Sequence, residues 1–386
     1  MQTQPATAQL AFPVHVIAQA SEAMPRRTEA TLVALKNGRV LAAYANHVGR
    51  SDNARSHIAL RQIDTAGHLI GNEWIGITPP GDGLNAMSPA LRRLPDGRLG
   101  MLYSFRLGTT KAMRHFVTSE DEGKTWTPPV VVASGKYVTG CHDRFTILQS
   151  GRFVAPLHCS ENWEDHYLYT RVATSDDNGR SWRVSEPLEL PYVGGLGGLG
   201  DHWKGAFYES GCYEPGVVQR VDGSLLMTMR TAMGTQFCSE SFDEGLTWSP
   251  LRSLEVVSPQ APANLVRIPG TPVLLLLWSS DYGATIGTGG NRRCISCGLS
   301  MDDGRTWPHH LRRHVIQDTV SSWDYPSVLF HNDELWMSIR YTAGARYLEK
   351  PASTLLMRIP MAWVMEPLAA ENASTALTAM AADSLA

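Results

Sequence analysis

One eight-residue pattern occurs four times in this chain and limits what it can fold into. "SEDEGKTW" (Ser119–Trp126), "SDDNGRSW" (Ser175–Trp182), "SFDEGLTW" (Ser241–Trp248) and "SMDDGRTW" (Ser300–Trp307) all read S-x-D-x-G-x-[ST]-W. They recur at intervals of roughly 60 residues, the signature of an array or a propeller. Ser and Asp side chains hydrogen-bond backbone amides inside a tight turn, and Gly accepts a positive φ there. Such a turn joins two antiparallel strands, and the Trp that follows carries a large apolar face to pack between neighbouring sheets. A calcium loop would need ligands spaced along it and a terminal Glu, which no copy has.

A second repeat lies between the first. Apolar run, turn and apolar run recur at Thr31–Tyr44, Pro89–Tyr103, Arg144–His158, Gly216–Arg230, Asn264–Trp278 and Pro326–Arg340. Their turn residues and alternating flanks predict β-hairpins. With the four outer turns, and a fifth, degenerate one near Ile63–His68, they predict an all-β chain: a six-bladed β-propeller of four-stranded antiparallel blades. The last blade lacks an outer turn, so the sequence predicts that Phe12–Ala18 pairs with Ser353–Pro360 there. Residues 1–365 are then one domain, and the Ala- and Ser-rich residues 366–386 a frayed tail.

A net charge of −3 provides no basic field, so nucleic acid is not an expected partner, and no apolar run is long enough to span a bilayer. Of the six cysteines only Cys294 and Cys297 are close, and no second pair completes a zinc site, so no metal or cofactor is expected and buried thiols are. Those thiols, with no basic segment before the mildly apolar "LAFPVHVIAQA", lead us to expect a cytoplasmic protein, or a periplasmic or secreted one if the cleavage-like "AQA" marks a removed signal peptide.

The S-x-D-x-G-x-T-W turns resemble the Asp boxes of the sialidase superfamily, over a span from about Pro25 to Pro360. The resemblance implies a six-bladed propeller whose strand ends line a sugar-binding funnel. It also implies roles for residues that match the family's pattern. Tyr325, before the turn at Asp333, matches the nucleophilic tyrosine, and Glu214 in "ESGCYEPGVVQRVDG" matches the glutamate that serves as its base. Asp52, in the loop after the first hairpin, matches the acid, and Arg230 and Arg292 (or Arg293) match two arginines that clamp the substrate carboxylate. In the first blade Thr28 occupies the expected third arginine position, counted back from Gly38, with Arg27 one residue away, so either a bulge brings Arg27 into the pocket or the clamp is incomplete. Glu29 beside them would repel an anion. Arg340 ends a hairpin at the same mouth. A tyrosine suits a sugar whose anomeric carbon bears a carboxylate, because an anionic nucleophile would be repelled.

A separate cluster, His142, Asp143 and Arg144 before one hairpin and His158 after it, reads as a hydrogen-bonded rim or as a second acid–base centre. Three functions follow: a retaining exo-glycosidase acting on a carbohydrate with an acidic terminal sugar; a His/Arg-centred lyase, or a hydrolase of another acidic or deoxy sugar; and a non-catalytic carbohydrate-binding propeller.

Overall fold

The computed structural model describes residues 8–161, 167–190, 210–281, 292–344 and 350–370. The chain is all-β, and successive antiparallel strands hydrogen-bond in groups. Strands β1 (Ala8–Leu10) and β2 (Val14–Ala18) come first but join later sheets. The first meander is β3 (Arg26–Ala34), β4 (Val40–His47), β5 (Ser56–Ile63) and β6 (Leu69–Ile77). The second is β7 (Asn85–Arg93), β8 (Leu99–Arg106), β9 (Ala112–Ser119) and β10 (Val130–Ser134).

In the third sheet, β11 (Tyr137–Thr139) and β12 (Thr146–Ile147) share one partner, β13 (Phe153–Ser160), which continues to β14 (Tyr167–Ser175) and β15 (Arg183–Val184). The fourth runs β16 (Ser210–Gln219), β17 (Leu225–Thr231), β18 (Thr235–Ser241) and β19 (Arg252–Val257). The fifth runs β20 (Asn264–Arg267), β21 (Leu274–Ser279), β22 (Cys294–Ser300) and β23 (Arg312–Asp318), with β1 added beside β23. The sixth is β24 (Ser322–His331), β25 (Glu334–Thr342), β26 (Ala352–Pro360) and then β2, the pairing of chain ends expected from the sequence.

The four repeated turns are identical in their bonding. In the first, Ser119 Oγ donates to Asp121 and accepts from Gly123 N, while the Asp121 carboxylate accepts from Thr125 N and Thr125 Oγ1 at 2.8 and 2.6 Å. The same four bonds recur around Asp177, Asp243 and Asp302. No cation is needed to hold the loop, because the aspartate's lone pairs are already used by the turn. Each Trp packs between its own sheet and the preceding one. Trp126 joins Leu41 and Leu60, Trp182 joins Phe116, Trp248 joins Val172, and Trp307 joins Leu226 and Leu265.

The degenerate turn also closes a hairpin: Asp64 Oδ1 accepts from Ala66 N and His68 N. Residues 361–370, in contrast, form a helix, so the expected boundary at 366 falls inside an ordered element. Val364 and Leu368 bury against the fifth and sixth sheets, and Arg313 stacks on Trp363. The rest of the expected tail lies outside the described residues. All six cysteines are free thiols. Among the described residues no helix is long and apolar enough to cross a membrane, and no cluster of side chains has the makings of a metal site.

Candidate active site

A second repeat, in the backbone rather than the sequence, positions the site. Glu29, Ser88, Asp143, Glu214 and Tyr325 all have φ between 51° and 61°, one at the head of the first hairpin in five of the six sheets. Around four of them the ladder skips a residue, between Thr28 and Thr31, Met87 and Ala90, Tyr213 and Gly216, and Asp324 and Ser327. These are β-bulges, which bend a strand and re-aim a side chain. Three of the bulged residues precede a proline, Pro89, Pro215 or Pro326, whose missing N–H ends regular pairing there. A left-handed φ at a non-glycine residue is strained, and such strain gathers at functional sites.

Two of these residues meet. The Tyr325 hydroxyl donates to Glu214 Oε1 at 2.7 Å, although 111 residues separate them. Arg230 donates to Glu214 Oε2 at 2.6 Å and lies 4.4 Å over the Tyr213 ring. Two more guanidiniums flank the phenol: Arg340 stands 4.5 Å and Arg292 5.7 Å from the Tyr325 ring centre. Both are held by Asp324, a buried carboxylate that the sequence reading gave no role. Arg292 Nη1 reaches it at 3.0 Å, and Arg340 grips it with Nε at 2.5 Å and with Nη2. Arg293 turns away to Asp281, so of the two adjacent arginines Arg292 belongs to this cluster.

Charge follows from these contacts. Burial and the adjacent Glu214 charge push the Tyr325 phenol well above its ordinary range, against the pull of Arg230, Arg292 and Arg340. Burial also opposes ionisation of Glu214, but Arg230, His158 and the bond from Tyr325 outweigh it and hold the carboxyl at about 2. In Asp324 the same contest is won by Arg340 and Arg292, and its carboxyl is lowered.

The first sheet brings a further set of charged side chains within electrostatic reach of Arg340. Here the sequence reading needs correction: Arg26, not Arg27, faces the site. Arg26 Nη2 lies 2.5 Å from Asp52 and 3.6 Å from Glu29. Arg27 points to the other face of the sheet, where it pairs with Glu73 and donates to Asn46 at 2.9 Å. Neighbouring residues of a strand face opposite ways, and the bulge at Glu29 shifts the register between Thr28 and Thr31, so Arg26 and not Arg27 is turned to the site. Asp52 sits in the turn between β4 and β5, fixed through its carbonyl by Asn85 and Arg106 at 2.7 and 3.0 Å. Its side chain remains 45 % exposed. Partial desolvation opposes its ionisation, but Arg26, His47 and Arg106 keep its carboxyl below the ordinary aspartate value. Glu29, hydrogen-bonded by Ser88 at 2.6 Å, goes the other way, because its burial outweighs the help of Arg26.

The histidine cluster does not assemble as one centre. His142 is buried beneath the tyrosine, with Nε2 3.1 Å from the Tyr325 carbonyl, and burial with Arg144 nearby lowers it to about 3. His158 bonds Thr139 and lies edge-on to Tyr213, with ring centres 6.1 Å apart; burial lowers it to about 4. Asp143 serves the fold rather than a ligand. Its carboxylate accepts from Thr31 Oγ1, Arg92 Nη1, Asn264 Nδ2 and Val328 N, tying the third sheet to the first, second, fifth and sixth. Arg144 donates to the Ala263 carbonyl at 2.7 Å and is likewise buried.

Comparison with known proteins agrees with this picture at the level of fold. A family described as "BNR repeat-like domain" matches residues 78–337, about two thirds of the chain. An anhydrosialidase of Macrobdella decora is 27% identical over 214 residues, which are 50% of this chain and 24% of that protein. The chain thus spans about a quarter of the length of that relative. Among solved structures, the NanB sialidase of Streptococcus pneumoniae superimposes with a TM-score of 0.68 at 12% identity, over 92% of this chain and 71% of that one. The intramolecular trans-sialidase of Ruminococcus gnavus does so with a TM-score of 0.66 at 14% identity, over 90% of this chain and 97% of that one.

Proposed function

The chain belongs to the BNR repeat-like domain family, and from that premise we propose that it is an exo-acting, retaining glycoside hydrolase of the sialidase type, removing a terminal acidic sugar. In this reading the six meanders are the blades of a six-bladed β-propeller, and the bulged strand heads line its mouth. The observation that carries it is the 2.7 Å bond between Tyr325 and Glu214 in a cluster of arginines.

Tyr325 is the nucleophile. As its oxygen bonds to the anomeric carbon, its proton passes to Glu214. A carboxylate held at about 2 is a weak base, so the transfer is driven by the forming bond rather than preceding it. Asp52 protonates the departing oxygen. In the free protein Arg26 keeps Asp52 ionised; a substrate carboxylate that draws Arg26 away raises the Asp52 pKa and lets it take up the proton it must give. Water then cleaves the tyrosyl–sugar bond with Asp52 taking its proton while Glu214 returns the first proton to the departing Tyr325 oxygen, and two inversions give retention. Arg26, Arg230 and Arg292 are the groups available to a planar carboxylate.

A second reading rests on Asp324. This residue already neutralises Arg292 and Arg340 from the protein side, which favours a deoxy sugar or one whose acid lies elsewhere. Turnover of a panel of acidic and deoxy glycosides, with products identified by mass spectrometry, separates these readings. A free sugar released by the wild type and not by Tyr325→Phe is the expected result. An unsaturated, ultraviolet-absorbing product makes the protein a lyase. Binding without product from any glycoside makes it a binding propeller.

A further inference from the structure

The nucleophile proposed above stands on a strained piece of backbone. Tyr325 has a φ of 56°, and a left-handed φ is an outlier for a bulky aromatic residue. With Pro326 it forms the bulge of β24. The ladder to β25 pairs Asp324 with Arg340 and resumes with Ser327 on Ser338, so neither Tyr325 nor Pro326 has a partner residue in it. A conformation of this kind persists only where its surroundings over-determine it.

Side chains of two other sheets surround it. His142 and Asp143 lie between β11 and β12 of the third sheet, and Asn264 opens β20 of the fifth. His142 Nε2 is 3.1 Å from the Tyr325 carbonyl, Asn264 Nδ2 donates to the Pro326 carbonyl at 3.1 Å, and Val328 N donates to Asp143 at 3.0 Å. A carbonyl only accepts, so His142 carries a proton on Nε2. Its Nδ1 faces the Cys141 thiol 3.5 Å away, which burial keeps protonated and able to donate. Asn264 Nδ2 also donates to Asp143 at 3.0 Å, which fixes which way round its amide stands. His142 touches the side chain as well as the backbone, with its ring centre 5.4 Å from that of Tyr325. Both His142 and Asn264 are buried, away from bulk solvent that could take over their bonds.

The bulge at Ser88 and Pro89 is held in the same way, by Arg114 Nη1 on the first carbonyl at 2.8 Å and Asp143 N on the second at 2.9 Å. What differs is the group that is aimed: a hydroxyl on Glu29 there, the phenol on Glu214 here. We propose that His142 and Asn264 are positioning residues for Tyr325: they hold the two carbonyls of its bulge and through them keep the phenol on Glu214. The effect of this clamp on turnover rests on the reading of Tyr325 as the nucleophile. Its effect on geometry does not.

Two substitutions at one position make the test. His142→Leu removes the donor at similar volume, and His142→Gln offers an amide N–H about where Nε2 stands. On a glycoside that the wild type turns over and Tyr325→Phe does not, His142→Leu should lower kcat about a hundredfold, the scale of a misplacement of about 1 Å, and leave KM within about twofold. His142→Gln should recover kcat to within about threefold of the wild type, and Asn264→Leu should lower it about tenfold. Crystal structures of the variants need no substrate: the Tyr325 hydroxyl should leave Glu214 in His142→Leu and stay on it in His142→Gln. Should His142→Leu not fold, Asn264→Leu carries both measurements. A folded His142→Leu that keeps the bond from Tyr325 to Glu214 overturns the proposal. So does wild-type kcat in His142→Leu where Tyr325→Phe is inactive, or a His142→Gln as impaired as His142→Leu. If no glycoside is turned over, or Tyr325→Phe is as active as the wild type, the nucleophile reading fails on its own, and the crystal structures alone decide whether His142 positions the tyrosine.

Discussion

The outer turns and the strand heads are both repeats, but of opposite kinds. In the turns the same residues make the same four bonds in each copy, entirely within one loop, as around Asp121 and Asp177. At the strand heads the backbone repeats while the residue changes: Glu29, Ser88, Asp143, Glu214 and Tyr325 share a conformation and little chemistry. Their partners come from other sheets, as Tyr325 finds Glu214 and Asp143 finds Asn264. Self-contained repetition builds a scaffold. A repeated conformation with varied side chains lets that scaffold aim different groups at one place.

The largest expected effect breaks this division if it fails. Tyr325→Phe removes one hydroxyl whose bonds serve Glu214 and Arg230. Turnover of the glycoside substrate should fall by at least about a thousandfold, as when a nucleophile is lost, with urea unfolding shifted by no more than about 1 kcal/mol. A variant that keeps turnover but unfolds easily would make Tyr325 a structural residue like those of the rim.

The rim should respond in the reverse manner. Trp307 is 5% exposed and packs among Leu226, Leu265 and Leu274. Trp307→Ala should cost about 3–5 kcal/mol of stability. The specific activity of the protein that remains folded should be unchanged. Trp126, Trp182 and Trp248 are only partly buried, so the same change there should cost less.

This asymmetry also explains what the sequence disclosed. The turns were legible because every bond lies within eight residues and each copy repeats the letters. The hairpins, and the pairing of β2 with β26, followed from the same periodicity. Glu214 and Tyr325 could be singled out only through resemblance, since nothing local brings them together. Proline after Ser88, Glu214 and Tyr325 is a visible signal of three bulges, while Glu29 is followed by alanine. The bulge weighed for the first sheet is present, but the arginine it leaves at the site is Arg26 and not Arg27. Asp324 passed without a role because its partners are far apart in the chain: Arg340 lies on β25, and Arg292 in the segment before β22 of a different sheet. The helix at 361–370 was hidden by an Ala-rich composition that looks like a tail, while its buried Val364 and Leu368 carry the docking.

Acid should find the strand-head region before the rim. His47 and His142 are each 0% exposed, and burial, with Arg26 and Arg144 adding to it, lowers both from 6.5 to about 3. Below pH 6.5 the unfolded chain takes up protons that the folded one refuses. Stability therefore falls as pH drops, by up to about 1.4 kcal/mol per pH unit for each histidine, until the folded values are reached. Asp121 and Asp177 on the rim are held at about 2 by bonds from Thr125 and Ser181. Their stabilisation is intact above the ordinary value of 3.8 and is lost only as pH falls from there through about 2. Urea unfolding at pH 7.5, 5.5 and 4.5 should show a steady loss that His142→Asn reduces. No loss above pH 4 would mean these histidines are not buried as neutral groups.

A smaller change tests the role of the fork of nitrogens. Arg230→Lys keeps the charge beside Glu214 but loses the planar geometry that serves two oxygens at once. Turnover should fall roughly ten- to a hundredfold, with the loss in KM as well as kcat if the substrate brings a carboxylate. Full turnover in this variant would remove Arg230 from substrate recognition.

The smallest expected effect is the sharpest on the register of the first sheet. Arg26 and Arg27 are neighbours with the same charge, and the bulge at Glu29 decides which one the site receives. Arg26 is buried between Asp52 and Glu29, so Arg26→Ala strands two carboxylates and should cost at least tenfold in kcat/KM. It should also move the alkaline limb of the kcat/KM–pH profile, which reports the acid Asp52, to higher pH, because Asp52 loses the cation that keeps it ionised. Arg27 reaches Glu73, whose side chain is 35% exposed, on the other face. A pair of that kind contributes about 0–1 kcal/mol. Arg27→Ala should therefore leave kcat/KM and its pH profile where they were and shift the unfolding midpoint only slightly. Were Arg27→Ala the damaging variant and Arg26→Ala the silent one, β3 would have to pair with β4 one residue out of its assigned register. Glu29 would then no longer stand at the head of the strand with the other four residues of positive φ.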